Sequence, residues 1–172
     1  MHFPNTTFID AVLFDLDGTL LDTAPDIMHA INQGLKTENI APASIDQGRP
    51  QVSHGAFRLI ENILGADVDL QHKEHLRSCF LQAYQQNLVQ DTQLYPGVSE
   101  LLALLDTCSI PWGIVTNKSE RFTLPLLEPF NLIPKNGCIV CGDTTPYLKP
   151  NPAPLLEAVK ILGIAPEKII YV

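Results

Sequence analysis

Short apolar runs alternate with longer stretches of helical periodicity over most of the chain. Short runs rich in Val, Ile and Leu are typical of buried strands when turn residues follow them. They predict strands over residues 11–17, 111–117, 138–142 and 168–172. Strands that alternate with helices pair in parallel through right-handed crossovers. The pattern therefore predicts an α/β fold built on a Rossmann-like parallel sheet.

Apolar residues at helical spacing predict six helices, over residues 26–35, 56–64, 73–88, 98–105, 120–129 and 152–162. Gly65 and Gly163 suit the ends of two of these helices, and Asn151 suits an N-cap. Pro125 is expected to weaken or kink the helix that contains it, because proline removes a backbone donor. Residues 41–50 are predicted to form a loop.

The first three helices follow the first strand directly, before any second strand. This order predicts a helical insertion in the α/β core. We place the core in residues 1–21 and 95–172, and the inserted all-helical segment, called the cap below, in residues 22–94. Tyr95-Pro96-Gly97 marks the point where the chain returns to the core.

Composition excludes several classes of function. The formal net charge of −8 argues against DNA or RNA as a partner, because binding a phosphate polymer needs a basic surface. No apolar stretch is long enough for a membrane span, and the first residues do not resemble a signal peptide. We therefore expect a cytoplasmic protein without a nucleic-acid or membrane partner, and its oligomeric state stays open. Cys138 and Cys141 have metal-like spacing but no second pair, so we expect small core residues.

Two carboxylates, Asp15 and Asp17, stand at the end of the first predicted strand, and Gly18 follows. Side chains alternate along a strand, so both should point to one side, at the edge where α/β proteins bind ligands. Like charges at this distance need a counter-charge, and oxygen ligands favour Mg²⁺. We therefore expect Asp15 and Asp17 to be metal ligands, although a polar strand end followed by a turn has the same pattern.

Two later segments would reach the same edge of the sheet. Thr116 and Asn117 end the second core strand, and their hydroxyl and amide groups can donate hydrogen bonds to phosphate oxygens. Lys149 precedes a predicted helix and could offset the charge of a phosphoryl group. Taken singly, a hydrophilic strand end and a solvated surface lysine would explain these residues equally well.

Asp-Leu-Asp-Gly-Thr-Leu-Leu-Asp, which begins at Asp15, resembles the first motif of the haloacid dehalogenase superfamily in its phosphatase branch. The resemblance implies that Asp15 is the nucleophile and forms an aspartyl-phosphate. It implies that Asp17 is the general acid and then the general base. Thr116 is similar to the second motif and Lys149 to the third, in the order of the family.

The resemblance extends to the cap and to the activity. A helical cap just past the first motif is the arrangement of the phosphoglycolate phosphatase-like and β-phosphoglucomutase-like members. It implies an α/β core of the superfamily type and a Mg²⁺-dependent phosphatase acting on a small phosphorylated metabolite. The phosphate contacts would come from Gly18, Thr116, Asn117 and Lys149.

The cap loop before the second predicted helix is a candidate substrate contact. Ser53, His54 and Gly55 precede that helix, and backbone amides at a helix N-terminus can hold an anion. His54 could bind a substrate carboxylate, and Arg58 could make a second contact. A solvated loop histidine is an equal alternative for His54, and a surface role is favoured for Arg58.

The family's fourth motif, an acidic pair after the strand that follows Lys149, is absent. Asp143 precedes Lys149 and is expected to be a loop residue. The chain stops at Val172 on the last predicted strand, so we expect the C-terminal part of the core to be missing and the fragment to have low activity. Mg²⁺ would then be held by Asp15, the backbone carbonyl of Asp17, a phosphate oxygen and water.

Several functions stay open. Three stretches, among them Trp-Gly-Ile-Val-Thr-Asn-Lys-Ser-Glu-Arg-Phe, also resemble bacterial N-acetylmuramic acid 6-phosphate phosphatases, so the ester is not decided. A β-phosphoglucomutase-like phosphotransferase and a non-catalytic binding fragment are further alternatives. A phosphoacceptor receiver domain is set aside, because it has no helical insertion after its first strand.

Overall fold

The structure, a computed structural model, describes residues 9–65 and 68–172, except for the side chains of residues 53, 54, 56 and 57. The strands are β1 (Ala11–Phe14), β2 (Leu21–Asp22), β3 (Gln93–Leu94), β4 (Trp112–Val115), β5 (Ile139–Val140) and β6 (Ile169–Tyr171). The α-helices are α1 (Ala24–Thr37), α2 (Ile45–Gly48), α3 (Ala56–Leu64), α4 (Leu70–Gln86), α5 (Val98–Thr107), α6 (Glu120–Leu127) and α7 (Ala153–Leu162).

Four parallel strands form the core sheet, in the order β5-β4-β1-β6. β1 lies in the middle, with Val12 opposite Trp112 on β4 and opposite Ile170 on β6. Because the strands are parallel, their carboxyl ends meet at one edge, where β1 is followed by Asp15 and β4 by Thr116. The predicted α/β class with a parallel sheet and a helical insertion is confirmed.

Helices cover both faces of this sheet. Phe14, Ile114 and Trp112 pack with side chains of α5 and α6 on one face. Leu13, Val115 and Val140 pack with Ala158 of α7 on the other. A sheet covered on both faces needs apolar residues at successive positions, which explains the continuous apolar runs of β1 and β4.

Helices α1, α3 and α4 form the main body of the cap. The apolar faces of α1 and α4 pack together there, with Ile27 and Ile31 of α1 buried with Leu76, Phe80 and Tyr84 of α4. Helix α3 coincides with the predicted residues 56–64 and is followed by Gly65 at φ +91°. Its left-handed backbone is the conformation that favours glycine at a helix end.

Two predictions about the cap were wrong. Residues 41–50 are not all loop, because α2 begins after Ser44 and a 3₁₀ helix continues over Arg49–His54. Ser44 and Gln47 form a reciprocal capping box, a local signal that the loop prediction did not use. Residues 22–94 are also not all helical, because β2 and β3 pair antiparallel at their two ends. The exact division at residues 22 and 94 stays a prediction.

Asp26 ties the two ends of the cap together. Its side chain is buried in the first turn of α1 and accepts hydrogen bonds from the backbone N–H groups of Gln90, Asp91 and Thr92, at 2.9 to 3.0 Å. The Thr92 hydroxyl donates a fourth, at 2.7 Å. One carboxylate thus fixes the segment that enters the cap to the segment that leaves it.

Two helices of the core differ in detail from their predictions. Helix α6 continues past Pro125 to Leu127 and then tightens into a 3₁₀ turn over Glu128–Phe130, so regular helix ends before residue 129. Helix α7 begins at Ala153, whose N–H donates to Oδ1 of Asn151 at 2.9 Å. No helix in the described ranges has both the length and the apolar character that crossing a membrane requires.

Candidate active site

Asp15 lies directly after β1, at the carboxyl edge of the sheet. Its Oδ1 accepts the backbone N–H of Leu16 at 2.8 Å and lies 2.7 Å from Nζ of Lys149. Both contacts fall on Oδ1, and the described residues give Oδ2 no hydrogen bond. Burial raises the pKa of Asp15, and the charge of Lys149 offsets part of that rise. The arrangement leaves one carboxylate oxygen available to a ligand.

Lys149 uses all three of its ammonium protons within the protein. Besides Asp15, Nζ donates to the carbonyl oxygen of Val115 at 2.8 Å and to the hydroxyl of Tyr171 at 2.6 Å. Tyr171 lies on β6, and burial raises its pKa, with the charge of Asp15 as the second cause. Lys149 therefore joins the ends of β1, β4 and β6 at one point.

The amide of Asn117 holds the backbone of the Lys149 segment. Its Nδ2 donates to the carbonyl of Lys149 at 3.1 Å, and its Oδ1 accepts the N–H of Lys149 at 2.8 Å. Gly142 passes close by, where a Cβ atom would overlap the carbonyl oxygen of Asn117. The side chain of Asn117 is thus engaged in positioning Lys149, and its predicted phosphate contact stays a prediction.

Asp17 has its own counter-charge. Its side chain is 7% exposed, and Oδ1 lies 3.2 Å from Nζ of Lys118. Oδ1 also accepts the hydroxyl of Thr23 at 2.7 Å. Each of the two aspartates therefore faces a separate lysine, an arrangement that the sequence did not predict.

Lys118 links the core to the cap. Its Nζ donates to the hydroxyl of Tyr84, on α4, at 3.0 Å and lies 4.6 Å from the centre of the Tyr84 ring. Burial alone would lower the pKa of Lys118, but Asp17 and Tyr84 outweigh it and the pKa is raised. Lys118 is therefore a fixed positive charge between Asp17 and the cap.

The remaining predicted phosphate ligands lie beside these pairs. Thr116 is buried, and its Oγ1 accepts the N–H of Lys118 at 3.1 Å. Gly18 is exposed at φ +83°, and its N–H donates to Leu21 at 2.8 Å, which closes the turn after the two aspartates. The structure brings these residues to one edge of the sheet, and their phosphate contacts remain predictions.

A cavity of about 210 Å³ lies between this edge and the cap. From the core it is lined by Asp17, Asn117, Lys118 and Leu148, and from the cap by side chains that include Ile27, Leu59, Phe80, Leu81 and Tyr84. Two arginines, Arg77 of α4 and Arg121 of α6, also line it and are exposed. The cavity thus combines an apolar cap wall with three cationic side chains.

The predicted cap contacts divide between described and undescribed residues. Gly55 lines the cavity, whereas the exposed Arg58 is not part of the lining that the structure describes. The side chains of Ser53 and His54 lie outside the description. Asp143 is a loop residue whose Oδ1 accepts the N–H of Glu120 at 2.9 Å, so it serves the start of α6.

Sequence reasoning missed Lys118, Thr23 and Tyr84. Lys118 had a usable signal, because it stands two positions after Thr116 in the same strand-end loop. The sequence gives no signal that Tyr84 belongs to the site. Its spacing with Leu76 and Phe80 predicts a buried position on the apolar face of α4, and its ring does lie there.

The donor set at Asp15 fits a magnesium ion that also binds a phosphate. Among the described residues, no three His, Cys, Asp or Glu side chains form a metal-binding group. Mg²⁺ is commonly held by only one or two carboxylates, together with waters and substrate phosphate oxygens. Asp15 supplies such a carboxylate, and Asp17 is close enough to affect the pKa of Asp15.

Comparisons with known proteins agree with this geometry. Residues 12–172 match the haloacid dehalogenase-like hydrolase family. The chain is 38% identical to the N-acetylmuramic acid 6-phosphate phosphatase of Pseudomonas aeruginosa, over 95% of this chain and 73% of that protein. It is also 38% identical to the phosphoglycolate phosphatase of Nitrosospira multiformis, over 100% of this chain and 77% of that protein.

A solved structure has the same fold. The crystal structure of a predicted phosphoglycolate phosphatase from Haemophilus somnus superimposes with a TM-score of 0.84 at 28% sequence identity. The superposition covers 96% of this chain and 76% of the other.

Proposed function

The chain belongs to the haloacid dehalogenase-like hydrolases, and we propose that it is a Mg²⁺-dependent phosphatase that hydrolyses a small carboxylated phosphate monoester through an aspartyl-phosphate. The observation that carries this proposal is the pair of aspartates at one edge of the sheet, each facing its own lysine, with Asp17 and Lys118 lining the cavity beneath the cap. Two neighbouring carboxylates allow one to act as the nucleophile while the other donates a proton.

The first half-reaction forms the intermediate. Oδ2 of Asp15 attacks phosphorus, the bond between phosphorus and the ester oxygen breaks, and its electron pair goes to the leaving oxygen. Asp17 gives its proton to that oxygen, so the product is a neutral alcohol group. Thr116 and Lys149 hold the phosphoryl oxygens, and Gly18 and Asn117 are further predicted contacts.

The second half-reaction releases phosphate. Asp17, now ionised, accepts a proton from a water molecule as the water oxygen attacks phosphorus. The bond between phosphorus and Asp15 breaks, and the carboxylate of Asp15 is restored. Asp17 thus acts first as an acid and then as a base, and it ends in the protonation state in which it began.

The charges around the site favour a metal requirement, and phosphatases of this family typically depend on a metal ion. Lys149 already balances the charge of Asp15, and a phosphate ester adds up to two negative charges beside it. Asp15 and the backbone carbonyl of Asp17 would hold Mg²⁺, which supplies positive charge at the phosphoryl group.

Two esters are candidate substrates, because relatives at 38% identity carry both names. 2-Phosphoglycolate and N-acetylmuramic acid 6-phosphate differ in size, but each carries a carboxylate besides its phosphate. The cationic side chains that line the cavity support an anionic leaving group. Phosphoglycolate is the leading candidate, and the muramic acid ester is the alternative.

Phosphate release from both esters, with and without Mg²⁺, tests the proposal. The chain should release phosphate only with Mg²⁺, and Asp15→Asn should abolish the release. No release from either ester, under conditions where a longer relative is active, would contradict the proposal and favour a binding role. Interconversion of sugar phosphates without net phosphate release would instead favour a phosphotransferase.

A further inference from the structure

We propose that Lys118 recognises a carboxylate on the alcohol portion of the substrate, and that the preferred ester carries this carboxylate next to its ester oxygen. The inference deepens the proposed phosphatase function and rests on it. It assigns substrate selectivity to a core residue beside Asp17 rather than to the exposed arginines of the cavity.

The first support is an unused donor. The Lys118 side chain is only 8% exposed, and an ammonium carries three N–H donors. Among the described residues, Asp17 and the Tyr84 hydroxyl accept two of them. A buried donor without a partner is costly, and Lys118 lines the cavity, so a ligand oxygen there would satisfy the third.

The second support is the position of Lys118 relative to the reaction. Asp17, the proposed proton donor, must contact the ester oxygen of the leaving group. Nζ of Lys118 lies 3.2 Å from Oδ1 of Asp17, whereas Lys149 lies beside Asp15. Lys149 therefore serves the phosphoryl side and Lys118 the leaving-group side. We therefore expect Lys118 to contact a carboxylate one carbon from the ester oxygen rather than one on a distant substituent.

The third support is the way the charge is held. Tyr84 is buried on α4, and its hydroxyl and ring both contact Lys118. The ammonium therefore has a fixed position before substrate enters, which reduces the entropy lost on binding. Arg77 and Arg121 are exposed, and Arg77 already lies 3.6 Å from Glu74. These two arginines are the alternative groups that could bind the substrate carboxylate in place of Lys118.

Binding selectivity tests the inference without relying on turnover. In an Asp15→Asn background with Mg²⁺, calorimetry would give the Kd of 2-phosphoglycolate and of ethyl phosphate, in which a methyl group replaces the carboxylate. We expect the carboxylated ester to bind about tenfold more tightly, as a charge-assisted hydrogen bond would provide. Lys118→Met should weaken the binding of 2-phosphoglycolate about tenfold more than that of ethyl phosphate, so that the preference disappears. Lys118→Arg should retain part of it.

Matched variants separate the alternatives. Arg77→Gln and Arg121→Gln should keep the preference, and Tyr84→Phe, which keeps the charge, should reduce it less than Lys118→Met. Equal weakening of both ligands in Lys118→Met would overturn the inference, because Lys118 would then only position Asp17. Loss of the preference in an arginine variant, or no measurable binding of 2-phosphoglycolate, would also overturn it.

The inference and the proposed function can fail separately. If the carboxylate preference depends on Lys118 but the unaltered chain releases no phosphate, the phosphatase proposal fails and the recognition site stands. If phosphate is released equally well from both esters and Lys118→Met lowers both rates alike, the phosphatase proposal stands and the inference fails. Should Lys118→Met fail to fold, Tyr84→Phe and Lys118→Arg still decide, because an unchanged preference in both would contradict the inference.

Discussion

Nζ of Lys149 lies 2.7 Å from Oδ1 of Asp15, and its other two protons are donated to Val115 and Tyr171. The ammonium is therefore saturated before any substrate binds. A phosphoryl oxygen can reach it only by replacing one of these acceptors. Replacing Asp15 would break an ion pair, and replacing the Val115 carbonyl would release Lys149 from the end of β4. The Tyr171 hydroxyl, on a half-exposed side chain of β6, is therefore the acceptor that a phosphoryl oxygen can replace.

Replacing Lys149 should slow the chemical step strongly. In Lys149→Met, Asp15 loses its counter-charge and the phosphoryl group loses a donor, so we expect kcat to fall on the order of 100- to 1000-fold. Single-turnover phosphate release measures this. Lys160→Met is the matched control, because Lys160 pairs with Glu157 on the exposed face of α7, away from the two aspartates, and its loss should leave the rate unchanged. Equal losses in both variants would contradict the assignment.

The pH dependence of the rate should reflect the raised pKa of Asp15. The nucleophile acts as a carboxylate, so activity falls as the pH falls through the pKa of Asp15. Burial raises this pKa above its usual value of 3.8, and the charge of Lys149 offsets only part of that rise. Because Lys149 favours the ionised form of Asp15, the acid limb of kcat/KM should move to higher pH in Lys149→Met. A limb that moves to lower pH in that variant would be incompatible with this account.

Asp26 should be a major source of stability in the cap. Asp26→Ala would leave the N–H groups of residues 90–92, of which that of Thr92 is buried, without their acceptor, at a cost of about 3 kcal/mol in the free energy of unfolding. Urea denaturation measures this cost. Asp46→Ala, at an exposed position in α2, should change it by less than about 0.5 kcal/mol. Similar values for the two variants would show that Asp26 does not hold the cap ends together.

The sequence predicted most of the fold because its signals there are local. Apolar runs located the four core strands, and glycine at φ +91° ended α3 where expected. The β2–β3 pair was missed because a two-residue strand carries no periodicity, and its partner lies far along the chain. Register and pairing between distant short strands depend on the whole fold, which no local pattern contains.

The same distinction applies to the site. Asp15, Thr116 and Lys149 could be placed at one edge because parallel strands bring their carboxyl ends together. The separate pairing of Asp17 with Lys118 could not be predicted, because it depends on the path of the loop after β4. The contact between Lys118 and Tyr84 depends on how the cap sits against the core, which no spacing in the sequence encodes.

The cysteines should report the packing of the core. Burial raises the pKa of Cys138 and of Cys141 to about 11, from a usual 9.0, while Cys108 is exposed. At neutral pH the two buried residues should carry about a hundredfold less thiolate, and access is restricted as well. Peptide mapping after brief alkylation should find Cys108 modified, and Cys138 and Cys141 modified only after unfolding in urea. Rapid native alkylation of Cys138 would contradict the described packing.

The most direct test of the central claim is to trap the phosphorylated carboxylate. The chain would be mixed with 2-phosphoglycolate and Mg²⁺ at near-equal concentrations, quenched in acid, reduced with borohydride and mapped by mass spectrometry. Borohydride converts an aspartyl-phosphate to homoserine, and a single turnover is enough to detect it. We predict homoserine at position 15 and an unmodified peptide in Asp15→Asn. Phosphate release with Asp15 intact, or homoserine at position 17, would contradict the account.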